Sequence, residues 1–129
     1  MQLFCKKGEK TMEIIKSKDI VPSICEKCHD GEGTLLCKSL LTNFDCEMLN
    51  FMHSDYMPAG VSIGWHEHEG NEEIYYLVSG RGIITCDDRE YEMKSGDISI
   101  CRIGHSHAFS AVDDCILIVI ASKWGDKLW

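Results

Sequence analysis

The chain has 129 residues, of which 44% are hydrophobic and 26% are charged, and its formal net charge at pH 7 is −8. This length suits one globular domain with a core of its own. The negative charge argues against nucleic acid or an anionic membrane as a partner, because both bind to a basic protein face.

The N-terminal residues show neither an export signal nor an apolar run of membrane-spanning length. We therefore expect a cytoplasmic protein that does not enter a membrane. Residues 1–11 carry no pattern and are expected to be poorly ordered. Residues 12–24 are predicted to form a strand and a short turn before Pro22, and residues 29–34 a loop. The N-terminal segment as a whole, 1–34, is expected to be partly irregular, and its packing on the domain that follows is left open.

Eight cysteines are many for this length. Without an export signal their thiols are expected to be reduced. The stretch "CEKCH" at 25–29 matches the pattern for covalent haem attachment, which requires export. A zinc knuckle of Cys25, Cys28, His29 and Cys37 is a second interpretation, although the chain lacks a second C-x-x-C. A polar loop in a cysteine-rich protein is the interpretation we favour, and metal binding stays open.

Short apolar runs punctuated by Gly, Asp and Asn predict strands rather than helices along most of the chain. The predicted strands lie near 35–42, 46–53, 61–68, 73–79, 82–87, 90–93, 97–102, 107–112 and 115–122. Strands of this length with frequent turns are typical of an all-β sandwich or barrel. The C-terminal tail, 123–129, carries Trp124 and Trp129 and is expected at the surface or docked at a dimer interface.

The stretch "GWHEHEGNEEIYYLVSGRG", residues 64–82, places histidines and glutamates directly before an apolar strand. Alternate residues of a strand share a face, so His66 and His68 point to the same side. Glu73 begins the next strand and shares a face with Tyr75. If that face is inward, its carboxylate meets the two imidazoles, and together they form a facial set of ligands for a divalent metal. A fourth ligand must come from elsewhere, and "RIGHSHAF" supplies two further histidines.

The spacing of these residues resembles the first motif of the cupin superfamily. That motif runs Gly, five residues, His-x-His, three or four residues, Glu, six residues, Gly. Every fixed position is filled in this chain, by Gly60, His66, His68, Glu73 and Gly80.

The second cupin motif runs Gly, five residues, Pro-x-Gly, two residues, His, three residues, Asn, and it is matched in part. Gly96, Gly104 and His107 fit, whereas Arg102 stands for the proline and Ala111 for the asparagine. Loss of the proline loosens the backbone before the turn, but the position of the histidine is kept. Fifteen residues separate the two motifs, as in the compact microbial members.

The resemblance covers residues 35–122 and implies a single-domain jelly-roll β-barrel, similar to RmlC-like cupins, with one metal ion inside. The metal ligands that it implies are His66, His68, Glu73 and His107. The alternation of side chains along strands independently indicates His66, His68 and Glu73 as ligands. Only the motif spacing favours His107 over His105. Nitrogen and oxygen ligands suit Mn, Fe, Co, Ni or Zn, so the identity of the metal stays open. Cys86 or Cys101 would favour zinc or thiolate-tuned iron if it reached the metal, but strand cysteines more often pack in the core.

Cupins share a site and differ widely in reaction, so the resemblance leaves two classes of function. One is a metal-dependent enzyme of oxygenase, isomerase or lyase/decarboxylase type, acting on a small polar, anionic or sugar-like substrate. The other is a non-catalytic cupin that binds or senses a small ligand. A homodimer is expected, because cupin barrels commonly pair through their outer sheet and an open jelly roll leaves strand edges to cover.

Three residues are candidates for catalysis. Tyr75 shares a face with Glu73 and can act as a general acid or base. Arg102, at the mouth of the expected barrel, can pair with a substrate carboxylate. His105 is expected at the same mouth as a support for the metal ligands or a substrate contact. An ordinary core or surface role is the alternative for each.

Overall fold

The structure is a computed structural model that describes residues 12–123. The expected poor order of residues 1–11 and the docking of Trp124 and Trp129 therefore lie outside the described residues. The part of the chain that is described contains no helix long and apolar enough to cross a membrane.

The regular secondary structure of the described residues consists of ten strands and two short 3-10 turns. The strands are β1 Ser23–Glu26, β2 Thr34–Thr42, β3 Leu49–Met57, β4 Ser62–Glu67, β5 Glu73–Ser79, β6 Arg81–Cys86, β7 Arg89–Lys94, β8 Ile98–Cys101, β9 Ser106–Ala111 and β10 Cys115–Ser122. The 3-10 turns span Ser17–Asp19 and Cys28–Asp30.

The strands form two antiparallel sheets that face each other. The larger sheet has six strands in the order β1-β2-β3-β10-β5-β8, and the smaller has four in the order β4-β9-β6-β7. Alternate residues point into the space between the sheets, as Glu73, Tyr75 and Leu77 do in β5. This is the jelly-roll β-barrel that the sequence predicted.

Two N-terminal elements differ from the predicted ones. The strand predicted at 46–53 is found at Leu49–Met57, because a turn occupies the residues before it. The Asp45 carboxylate accepts hydrogen bonds from the backbone N–H and the hydroxyl of Thr42, at 2.7 and 3.1 Å, which holds that turn. The strand predicted within 12–24 is found after Pro22, as β1, paired with β2 at the edge of the larger sheet.

The turn Cys28–Asp30 lies beside β4, close to its backbone. A Cβ at Gly64 would collide with the carbonyl oxygen of His29, and a Cβ at Gly31 with the carbonyl oxygen of Ser62. Two residues without side chains therefore let this turn reach the barrel wall. The turn covers one end of the barrel, where the histidines of β4 lie.

Candidate metal centre

A β-bulge turns the end of β4 toward the interior of the barrel. The pairing of β4 with β9 shifts register between Ile63 and His66. Ile63 is buried and Trp65 is 53% exposed, so the extra residue allows His66 to face inward although it stands three positions after Ile63. This bulge was not predicted from the sequence. The isolated Gly64 inside a strand is the signal that indicates it.

Four donor atoms meet in the interior at short range. Nε2 of His107 lies 3.0 Å from Nε2 of His66, 3.0 Å from Nε2 of His68 and 3.0 Å from Oε1 of Glu73. The same Glu73 oxygen lies 3.2 Å from Nε2 of His68 and 3.6 Å from Nε2 of His66. His66 and His107 are direct partners across β4 and β9, so the strand register itself brings them together.

Hydrogen bonds at the far side of two imidazoles fix where their lone pairs point. Nδ1 of His66 lies 2.7 Å from the carbonyl oxygen of Gly64, and Nδ1 of His68 lies 2.9 Å from Oδ1 of Asn71. An oxygen acceptor places the proton on Nδ1, so Nε2 of each neutral ring carries a lone pair directed at the cluster. Since the single Nε2 proton of His107 cannot satisfy three neighbours, the donor set fits a cation at its centre. Three imidazole nitrogens and a carboxylate suit a divalent transition metal.

The electrostatics of the site agree with that donor set. Glu73 is 5% exposed. Burial raises the pKa of its carboxyl, but hydrogen bonds with the imidazoles of His107, His66 and His68 outweigh burial and hold the pKa well below its usual range. Burial lowers the pKa of His107. The neutral imidazole of His107 and the carboxylate of Glu73, which are the forms that bind metal, are therefore favoured, whereas the hydrogen bond with Glu73 raises the pKa of His68.

Tyr75 lies beneath the cluster and supports His107. Its ring stacks on the His107 imidazole with centroids 4.3 Å apart and an interplanar angle of 20°. Tyr75 is 1% exposed, and burial, followed by the charge of Glu73, raises the pKa of its hydroxyl well above the ordinary value. The hydroxyl therefore stays protonated at neutral pH, and the role of Tyr75 as an acid or base stays a prediction.

Arg102 and His105 lie at the mouth of the barrel, and each is paired with a carboxylate. Arg102 Nη1 lies 3.2 Å from Oε2 of Glu72, and His105 Nδ1 lies 2.6 Å from Oδ2 of Asp87. Both residues line a cavity of about 220 Å³ that reaches His107. Their catalytic roles stay predictions, but the structure places both beside the candidate metal centre.

Cys86 and Cys101 line the same cavity without joining the donor cluster. The Cys101 thiol lies 3.4 Å from the carbonyl oxygen of His105 and is 5% exposed. Both cysteines therefore pack beside the centre in the structure, in the manner usual for strand cysteines.

Two supporting residues were missed by the sequence analysis. Asn71 was interpreted only as part of a turn, yet its side chain orients His68. His29 was considered only within "CEKCH", yet its ring stacks on His66 with centroids 3.8 Å apart and an interplanar angle of 9°. No local pattern connects His29 with His66, because a long stretch of chain separates them.

Replacing the side chain that orients His68 is expected to weaken metal binding while keeping all four ligands. For Asn71→Ala we expect the metal affinity to fall by about 10-fold to 100-fold, the usual effect of losing a partner of a ligating histidine. Competition with a chromophoric chelator measures this affinity. Asn50→Ala, at an exposed position of β3, is the matched control and should leave it unchanged. Equal affinities for the two variants would contradict the role of Asn71.

The fold and the donor cluster together define a class, the jelly-roll proteins with an internal three-histidine, one-glutamate metal site. The family model described as "Cupin domain" matches residues 52–121, which is more than half of the chain. The chain therefore belongs to the cupin family, as its motifs predicted.

Similar proteins support this assignment. An oxalate-binding protein of Thermotoga maritima is 29% identical over 107 residues, which are 78% of this chain and 84% of that protein. An uncharacterised protein of Methanocaldococcus jannaschii is 33% identical over 89 residues, 67% of each chain. The crystal structure of a predicted oxalate decarboxylase from Thermotoga maritima has a TM-score of 0.81 at 25% identity, with 85% of this chain and 98% of that one covered. KdgF from Halomonas sp. has a TM-score of 0.75 at 17% identity, over 92% and 100% of the two chains, and shows the fold alone.

Proposed function

We propose that this cupin binds a divalent transition metal through His66, His68, Glu73 and His107 and uses it to recognise a small dicarboxylate of the oxalate type. The observation that carries the proposal is the set of inward imidazole lone pairs facing a buried carboxylate. A similar protein from Thermotoga maritima is an oxalate-binding protein, which supports the ligand class. A bound divalent ion supplies a Lewis acid that accepts carboxylate oxygens.

The cavity beside His107 contributes the groups that would receive the rest of an anionic ligand. Its lining includes Arg102, His105, Ser99 and Ser106. Arg102 offers a planar fork of N–H donors, which matches a carboxylate in two parallel hydrogen bonds. Glu72 pairs with the guanidinium of Arg102 at the mouth. Because the side chains of Arg102 and Glu72 are both partly exposed, a ligand carboxylate can replace Glu72 as the partner of Arg102.

Calorimetric titration of the metal-loaded protein with oxalate tests the proposal. We expect oxalate to bind and acetate, which has a single carboxylate, to bind far more weakly. For Arg102→Ala the oxalate affinity should fall by about 10-fold to 100-fold, the effect of losing hydrogen bonds to a charged group. Arg81→Ala is the matched control, because Arg81 also pairs with carboxylates but lies at the far end of β6. Failure of the metal-loaded protein to bind oxalate or any other small dicarboxylate would overturn the proposal.

One observation favours catalysis as a second candidate. Asp87 holds Nδ1 of His105 at 2.6 Å, which leaves Nε2 as the exchangeable position of a ring that lines the cavity. An imidazole oriented by a carboxylate in this way is suited to transfer protons to or from a bound substrate. Turnover of a dicarboxylate that is lost in His105→Ala, with metal content retained, would support an enzyme. Binding without turnover for Mn, Fe, Co, Ni and Zn forms would support a binding protein.

We also propose a homodimer that pairs through the larger sheet. Its outer face carries exposed apolar side chains on all six strands, which are Ile24, Leu36, Tyr56, Ile116, Tyr76, Val78, Ile98 and Ile100. Ile24, Leu36, Tyr56 and Ile116 are successive partners across neighbouring strands, so this apolar face is continuous. Faces of this kind are typical of protein interfaces. Light scattering should give twice the monomer mass, and a monomer at high concentration would contradict the assignment.

A further inference from the structure

A second group of metal-binding side chains lies on the inner face of the larger sheet. Cys37 of β2 and Asp55 of β3 are direct cross-strand partners. His53 stands two positions before Asp55 and so points to the same face. One ligand atom from each of these three residues lies within 4.8 Å of the other two. Thiol, imidazole and carboxylate thus converge at a place that the centre on β4, β5 and β9 does not use.

Two further thiols border this group. Cys25 of β1 pairs with Leu35, which shares the inner face with Cys37. Cys28 begins the turn next to β4, and the neighbouring Cys25 thiol adds to burial in raising the pKa of Cys28. All three cysteines are free and partly buried, and they pack against the core. The C-x-x-C pair therefore lies next to Cys37 in the fold, outside the set of three ligand atoms that lie within 4.8 Å of one another.

One carboxylate oxygen of Asp55 lacks a partner. The residue is 4% exposed, and its Oδ1 atom is buried with no hydrogen-bond partner. Buried carboxylate oxygens are almost always hydrogen-bonded or bound to a cation, because an unpaired polar atom loses its hydration without compensation. The buried environment of Asp55 therefore favours binding of a cation at this carboxylate.

Neither lysine nor arginine is among the side chains that act on Asp55. Burial raises the pKa of its carboxyl, the hydrogen bond with Cys37 and the imidazole of His53 lower it, and the charge of Glu73 raises it. Burial raises the pKa of both Cys28 and Cys37 to about 12, assisted by the neighbouring Cys25 thiol at Cys28 and by Asp55 at Cys37. The thiols therefore hold their protons in the absence of a cation, and a metal that binds there must displace them.

The group is separate from the candidate metal centre but opens to it. A small cavity of about 70 Å³ is lined by Cys28, His53 and Asp55 and also by Glu73 and Tyr75. His29 does not join the thiols, because its ring stacks on His66. The group in the structure therefore differs from the zinc knuckle considered from the sequence. His29 is absent from it, and residues of β3 take its place.

From this arrangement we propose a second metal site in which Cys37, His53 and Asp55 bind Zn²⁺ and Cys28 supplies the fourth ligand. Zinc prefers four ligands of mixed sulfur, nitrogen and oxygen type, and such a closed set is typical of structural sites. The site would tie β2 and β3 to the N-terminal turn that covers the barrel end. It does not depend on the proposed recognition of a dicarboxylate.

Cobalt substitution tests this site, because Co²⁺ bound to thiolate gives a sulfur-to-cobalt charge-transfer band that nitrogen and oxygen ligands do not give. The full chain is stripped of metal, kept with a phosphine reductant, loaded with Co²⁺ and freed of excess. We expect two ions per chain by elemental mass spectrometry, together with the band. His107→Ala should lose one ion and keep the band. One ion with no band would overturn this proposal alone, whereas one ion with the band would overturn only the centre at His107.

Near-isosteric variants assign the ligands. Cys37→Ser and Asp55→Asn should each lose one ion per chain, and Cys37→Ser should lose most of the band. Cys46→Ser, a partly buried cysteine in the turn before β3, is the matched control and should keep both ions and the band. Circular dichroism checks that each variant is folded. Full metal content and an unchanged band in folded Cys37→Ser would refute the site, as would a Cys25–Cys28 disulfide that persists with reductant.

Discussion

The substitution His107→Ala is expected to remove the metal of the candidate centre and to lower the free energy of unfolding by about 3 to 5 kcal/mol. His107 is 1% exposed, and its Nε2 atom is the one donor within 3.0 Å of the other three ligands. Its loss leaves the buried Glu73 carboxylate with fewer hydrogen bonds and the Tyr75 ring without its stacking partner. Chelator competition and urea denaturation of the metal-free protein measure the two effects separately.

His105→Ala is the control for this experiment. His105 stands two positions away on the same strand parity, but its side chain is 58% exposed and is bound to Asp87. We expect His105→Ala to keep the metal and to change stability by less than about 0.5 kcal/mol, as is usual for surface positions. Metal retention in His107→Ala, or metal loss in His105→Ala, would contradict the ligand set that the cupin motif implies.

The four residues of the donor cluster could be predicted from the sequence because the spacing of two motifs encodes strand register. Strand alternation placed His66 and His68 on one face, and Glu73 follows directly after the turn. His107 needed the cupin resemblance, since periodicity treats it and His105 alike. The structure separates them physically, because His107 lies opposite His66 in the β4–β9 pair. Pairing between distant strands is a property of the fold, which no local pattern contains.

The N-terminal segment was the least predictable part of the fold. Lys27, His29 and Asp30 all have positive φ, at 47°, 50° and 62°. Residues other than glycine rarely adopt this conformation, so a left-handed turn could not be expected there from the residue types. The turn directs Cys28 toward the cysteines and His29 toward His66. For this reason "CEKCH" divides between two clusters instead of forming one.

Core residues that pack against the candidate metal centre are expected to affect stability and metal affinity almost as strongly as the four donor residues. Phe109 is fully buried on β9, two positions after His107. Its ring meets Tyr75 edge-on with centroids 6.3 Å apart, and Tyr75 in turn stacks on His107. The close approach of Phe109 to Gly82 leaves no space for a Cβ there, so the ring packs directly on the backbone of β6. Removing the Phe109 ring therefore leaves a cavity next to Tyr75, which supports His107.

For Phe109→Ala we expect the free energy of unfolding to fall by about 3 to 5 kcal/mol, the range found for large buried aromatic residues. Metal affinity should fall as well, because Tyr75 and His107 gain freedom when the ring that confines them is lost. Urea denaturation and chelator competition give the two values. Tyr91→Ala removes an aromatic ring that is 51% exposed on β7 and should cost less than about 1 kcal/mol with unchanged affinity. If Phe109→Ala destabilises the protein and leaves metal affinity equal to that of Tyr91→Ala, the aromatic stack supports the fold without positioning His107.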